Sequence, residues 1–331
     1  LQCVSILLFP GAVIVMFGRM IGRMRDALVL YAVVLALFLS LTAATLYADA
    51  LQPNPAFASR VALPVDQEGW GNLEGKELRF GASAGATYAA ATTSVACGSV
   101  NCTHDSLNPL AGLPLLTGMW LNCVFGGKGI GLLNLLVFLI VAVFLTGLMV
   151  GRTPEYLGKK VEAREMKLAM LSFLIHPALI LGPTALFAAT EWGKKSVTNP
   201  GPHGLTQVLY EFSSSSAGNG SGFEGLADTW GLNDPAANVN PPAPYSPQWD
   251  VVTGLVMLLS RFVPIIAAVT LAGSLACKTA GPVTVGTLRT DTLTFGVVLL
   301  GVILLLGALV FLPAAVLGPV AEHFGPVPFG G

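Results

Sequence analysis

The chain has 331 residues, 53% of them hydrophobic and only 11% charged, with a net charge of −1. Runs of about 20 apolar residues with almost no charge recur along it, each as long as one bilayer crossing requires. That is the composition of an integral membrane protein; it excludes an ordinary soluble domain, and no nucleic-acid partner is expected.

The chain opens at Leu1 inside an apolar run, with no initiator Met and no signal peptide, and reads as a fragment lacking its N-terminal part. Membrane spans are predicted at about 2–18, 27–48, 130–150, 168–190, 251–277 and 293–317. Two further segments, 81–101 and 205–223, are long enough to cross but are built from Ala, Gly, Ser, Thr and Asn. Charge decides their path. Ten of the 17 basic residues crowd into three short loops, at 19–26, 151–167 and 278–292. By the positive-inside rule these loops share the cytoplasmic face. An even number of crossings must separate them, and the apolar spans already supply it. Segments 81–101 and 205–223 should therefore dip in from outside and return. Such irregular backbone is tolerated at membrane depth only inside protein or beside water, and its free carbonyls can replace the hydration shell of a cation.

The pattern repeats. Residues 1–26 end one repeat with its cytoplasmic loop. Residues 27–167 form one span–pore loop–span unit with its loop, and 168–292 form the next. Residues 293–331 hold a last span and a tail. The expected fold is an all-α polytopic membrane protein made of repeated helix–re-entrant pore loop–helix units. The outer connectors 49–75 and 224–250, rich in Pro, Asn, Asp and Gly, read as ordered surface loops.

Each dip ends in glycine among small polar residues, ACGSVN at 96–101 and AGNGSGF at 217–223. Gly98 and Gly220 are the candidate ion-filter glycines, since a filter residue can need a positive φ that glycine adopts without Cβ strain. Cys97, Ser99, Val100 and Asn101 extend the first filter segment; Asn219 and Ser221 extend the second. Close helix packing by small residues is the competing explanation. Arg261 lies deep in the span VVTGLVMLLSRFVPIIAAVTLAGSLA, where a charge costs ~2.5–3.5 kcal/mol to insert. It should face an ion path as a fixed positive charge, or pair with an acid on another helix; Pro264 should break the helix nearby. Loop 151–167 is a solvated topogenic loop or a docking surface. The run SSSS at 213–216 should bond carbonyls of the short pore helix. The sequons at Asn101 and Asn219 coincide with the filters and read as chance. His104 and Asp105 could form an acid–base pair in a membrane enzyme, but no nucleophile stands at a useful spacing. The five scattered cysteines suggest neither a zinc site nor a disulfide framework. No nucleotide-binding motif is present in the sequence.

NLEGKELRFG (72–81), CGSVNCTHDSLNPL (97–110), GLMVGRTPEYLGKKVEAREMKL (147–168), NPGPHGLTQVLYEFSSSSAGNGSGFEGL (199–226) and GPVAEHF (318–324) strongly resemble the KdpA family. Its members are the potassium-binding subunits of the bacterial Kdp potassium-pumping ATPase. The resemblance covers about the C-terminal three-fifths of a typical member. It implies four span–pore loop–span repeats related to those of the Trk/Ktr transporters, in the bacterial inner membrane. It further implies capture of K⁺ from outside by a backbone-carbonyl filter and delivery to KdpB, the subunit that hydrolyses ATP, with KdpC and KdpF as further partners. No organic cofactor and no catalytic residue are implied for this chain. Gly98 resembles the third-repeat filter glycine and Gly220 the fourth, both holding K⁺. Arg261 resembles the pore-facing Arg of the last repeat, and Arg152 the Arg at the cytoplasmic end of the third repeat's inner helix, a gating or partner contact. In WLNCVFGGKGIGL, family members usually carry an acid in place of Asn122 and an uncharged residue in place of Lys128. A potassium channel or symporter subunit working without an ATPase is the alternative.

Overall fold

The structure, a computed structural model, describes residues 1–54, 71–126, 130–227, 247–281 and 288–325. Among these, six helices are long and apolar enough to cross a membrane: Gln2–Met20, Met24–Ala50, Ile130–Val150, Ala163–Ala189, Pro247–Ala276 and Leu293–Phe324. They fall on the six predicted spans. In chain order we number α1 (Gln2–Met20), α2 (Met24–Thr45), α3 (Gly81–Ser94), α4 (Pro109–Leu121), α5 (Ile130–Val150), α6 (Ala163–Ala189), α7 (Glu191–Lys194), α8 (Pro202–Ala217), α9 (Pro247–Ala276), α10 (Leu293–Ala315) and α11 (Ala321–Phe324). One π-helical turn extends α2 to Ala50, and another joins α10 to α11.

Boundaries differ from expectation where local chemistry overrides hydropathy. Helix α6 begins at Ala163, inside the charged loop, because Glu162 and Glu165 form a reciprocal capping box. Helix α9 runs unbroken through Pro264, correcting the expected break. Pro264 is buried against neighbouring helices, a setting in which a membrane helix tolerates the lost hydrogen bond. Helix α4 was not anticipated. Its 13 residues make a rod of roughly 20 Å, too short to span the hydrocarbon core and mostly buried within the bundle. It ends at Asn122, whose left-handed backbone (φ 44°) turns the chain toward α5. Asn134 of α5 donates to the Asn122 carbonyl at 2.9 Å and holds the break closed. Lys128 and most of connectors 49–75 and 224–250 lie outside the described residues.

The short helices α3 and α8 have 14 and 16 residues, roughly 21 and 24 Å. Neither can span alone, and each leads into an extended segment that returns to the end where its helix began. Thr103 N, beyond the first segment, donates to the Gly75 carbonyl, and Ala227 N, beyond the second, to the Ser196 carbonyl. Helix α3 packs on α2 and α4; α8 packs on α6 and α9.

The three basic loops meet at one end of the bundle. A two-strand hairpin, β1 (Glu155–Tyr156) with β2 (Lys159–Lys160), turns through Leu157 and Gly158. Both turn residues have positive φ, which matches the hairpin to the twist of its strands. Lys278 bridges Glu162 and Glu165, Gly281 N donates to the Gly158 carbonyl, and Thr290 donates to Asp26 at 2.8 Å. Arg152, at the entrance to the hairpin, has an exposed side chain.

Candidate functional site

The two glycines predicted from the dips come together. Gly98 (φ +82°) and Gly220 (φ +105°) both adopt the region that favours glycine. A Cβ on Gly98 would collide with the Asn219 carbonyl, so the two extended segments touch backbone to backbone. Cys97, Ser99, Val100 and Gly220 are exposed beside this contact, while Asn219 and Ser221 are buried.

The polar side chains act as braces. Asn219 Nδ2 donates to the Thr92 carbonyl (3.2 Å), which also receives Cys97 N (2.9 Å). Asn219 Oδ1 accepts from Ser221 N (3.0 Å) and Ser221 Oγ (2.9 Å). The Asn219 side chain is thereby engaged at both its nitrogen and its oxygen. Its burial also removes the second sequon as a glycan acceptor. Asn101 reaches back to the Ala84 carbonyl at 3.4 Å.

The four serines of 213–216 are individually engaged. Ser213 bonds the Leu209 carbonyl, as expected for a short pore helix, and also accepts from Trp120 of α4. Ser214 Oγ accepts from Gly220 N (2.9 Å), Ser215 donates to Glu211, and Ser216 meets His176 Nδ1 (2.8 Å). His176 Nε2 lies 3.0 Å from the Met119 carbonyl, so that nitrogen carries the proton and Ser216 donates to Nδ1. One histidine of α6 thereby ties α8 to α4.

Arg261 fills the space beside Gly218, the residue that ends α8. Among the described residues it has no ion pair, so the salt-bridge explanation is not supported. The negative end of the α8 dipole offers it a partner instead. A cavity of about 370 Å³, lined by Pro10, Ile14, Val95, Cys97, Phe125 and Gly126 among others, lies against the first segment and is almost wholly apolar.

At the opposite end from the basic loops, buried polar ties hold the returning segments. Lys76 Nζ sits 3.1 Å from Asp49, with both side chains fully buried. Asp49 also accepts from Asn72 Nδ2 (2.9 Å) and Asn108 N (3.1 Å), and Lys76 pairs with Cys102 as a short bridge. His203 lies between Asp105 (2.9 Å) and Glu322 (2.7 Å). Burial alone would lower its pKa, but the bonds to the two carboxylates outweigh it and raise the pKa to about 10, so the ring is a cation. His104 is fully buried against Tyr210, and burial together with nearby Lys76 lowers it to about 4. His104 and Asp105 thus serve different partners and form no acid–base pair.

The tyrosines behind the segments were not foreseen. Tyr88 Oη lies 2.5 Å from Ser99 Oγ, and Tyr210 Oη 2.9 Å from Ser221 Oγ. The signal was in the sequence: both tyrosines precede their serine by 11 residues, and both serines directly follow the candidate glycine. His176 carried no comparable signal.

A family model described as the potassium-transporting ATPase A subunit, KdpA, matches residues 1–324. The potassium-transporting ATPase potassium-binding subunit of Geobacillus kaustophilus (strain HTA426) is 43% identical over 323 residues, which is 98% of this chain and 54% of that protein. The chain thus spans about half the length of this relative. Two short helices packed among the six described helices that are long and apolar enough to cross a membrane, each leading into a segment with a positive-φ glycine, agree with a match that covers nearly the whole sequence: the chain belongs to the KdpA family.

Proposed function

We propose that this chain is the K⁺-binding and K⁺-conducting part of a high-affinity, ATP-driven potassium uptake system. K⁺ enters from the extracytoplasmic side and is held by backbone carbonyls of Cys97, Gly98, Ser99, Val100 and Asn101 and of Asn219, Gly220 and Ser221. It then passes through the membrane toward an ATPase subunit. The resemblance and the relative's name support KdpB in that role, with KdpC and KdpF completing a complex in the bacterial inner membrane. The observation that carries this reading is the backbone contact of two positive-φ glycine segments at the ends of two short helices. The C-terminal, negative end of α3 leads into the first segment, which favours a cation there, while that of α8 is faced by Arg261. The meeting of the three basic loops at the other end supports a cytoplasmic side that carries Arg152, a gating or partner contact. Arg261, beside Gly218, is a fixed charge that limits or steers the cation past the second segment.

The test is ATP hydrolysis by the assembled complex, titrated with K⁺ and with Na⁺ as control. Stimulation at low K⁺, with none at equal Na⁺, is expected. A complex indifferent to K⁺ overturns the proposal. K⁺ flux from a chain that purifies without an ATPase would instead favour the channel or symporter alternative.

A further inference from the structure

The donors and acceptors behind the second segment can be assigned one by one. Asn219 Oδ1 only accepts, so the single Ser221 hydroxyl proton is committed to it at 2.9 Å. Ser221 Oγ must then accept at its other contact, so Tyr210 Oη–H donates to it at 2.9 Å. With its own proton spent, the phenol oxygen accepts from His104, which fixes the proton on Nδ1 at 2.8 Å. His104 Nε2 has no partner among the described residues, as a bare lone pair would leave it. Its low pKa, from burial and nearby Lys76, keeps the ring neutral near pH 7. The result is a one-way chain, His104 to Tyr210 to Ser221 to Asn219. It starts on the loop after the first segment and ends at the backbone contact of the second. Tyr88 and Ser99 repeat the tyrosine–serine clasp in the first unit.

We infer that Tyr210, oriented by His104, is a positioning residue that sets the ion preference of the site by fixing Ser221 and Asn219. Tyr210 does not touch the ion; it acts through Ser221. A segment held from behind keeps its backbone carbonyls in fixed positions, and their spacing, number and orientation set how each alkali cation is coordinated. The chain also couples the two units, because His104 and Tyr210 belong to different ones.

The inference rests on the filter reading, and the test separates the two. ATP hydrolysis by the assembled complex is titrated with K⁺ and with Rb⁺, for wild type and for Y210F, S221A, Y210F/S221A, H104A and H104N. Wild type indifferent to K⁺ removes the filter reading and this inference with it. Given K⁺ stimulation, Y210F is expected to raise the half-stimulating K⁺ concentration roughly fivefold to tenfold, the scale of one lost hydrogen bond, and to narrow the gap between K⁺ and Rb⁺. The double variant should be no worse than S221A, since Tyr210 acts through Ser221. H104N, whose amide N–H stands near the Nδ1 position, should recover what H104A loses. Titrations of Y210F that superpose on wild type overturn the inference. So do additive losses in the double variant, or equal losses in H104A and H104N, which would mean general loosening. Y210F removes only the hydroxyl, and the Tyr210 ring stacks on Phe223 at 4.4 Å between centroids, a contact the variant retains. If Y210F still fails to assemble, H104A against H104N decides alone.

Discussion

Replacing Gly98 by alanine tests the backbone contact most directly. The left-handed backbone at Gly98 costs a residue with a Cβ about 1–2 kcal/mol. The Cβ would also meet the Asn219 carbonyl, and such overpacking adds about 1–3 kcal/mol. Asn219 cannot yield readily, because Thr92, Ser214 and Ser221 all bond it. Relief must come from the first segment, where Cys97, Ser99 and Val100 are exposed. The first segment should therefore move, and under the filter role proposed above, at about 1.4 kcal/mol per tenfold, the half-stimulating K⁺ concentration should rise ~30-fold or more. Two controls isolate the collision. Gly220 (φ +105°) has open space where a Cβ would go, so G220A meets strain alone and should shift the titration less than G98A. Gly22 (φ +67°) is equally unobstructed but lies in the loop between α1 and α2, so G22A should leave K⁺ dependence unchanged. K⁺ titration of ATP hydrolysis by the complex reads all three. A G98A shift no larger than that of G22A, or a G220A shift exceeding G98A, would refute the reasoning.

Three further outcomes are expected. R261Q should change transport rate or ion preference while the complex still assembles on size exclusion, because no acid among the described residues depends on Arg261; loss of assembly would restore the salt-bridge explanation. K76M leaves Asp49 buried without its counter-ion and should cost about 3 kcal/mol, the lower end of the range for breaking a buried pair, since Asn72 and Asn108 still bond the carboxylate. A thermal unfolding scan reads that loss, and K76M/D49N should recover part of it. His203, raised to about 10 by its two carboxylates against an ordinary value near 6.5, contributes stability that is full below about pH 6.5 and lost as pH rises toward 10. H203Q should flatten that alkaline slope in melting scans; an unchanged slope would show that His203 is not its source.

Hydropathy, charge and small-residue content are local properties, and what depends on them alone was legible in the sequence. The six spans, the two dips and the glycines at the dip ends follow from the cost of exposing backbone or charge to lipid, which each segment meets by itself. The tyrosine–serine spacing was equally present in the chain, but nothing local says that a phenol 11 residues upstream folds back onto the serine. Helix α4 escaped notice because 13 apolar residues fall below the length of a span, and only packing against α2, α3 and α8 makes them a core helix. Pro264 carries a breaking signal that burial among other helices overrides. Contacts between distant residues were decided by the tertiary structure: Gly98 on Asn219, Arg261 at the end of α8, and His104 on Tyr210, 106 residues away. Each is a pairing between elements, fixed by which helices share a bundle face, and composition and spacing within one segment carry no record of the partner.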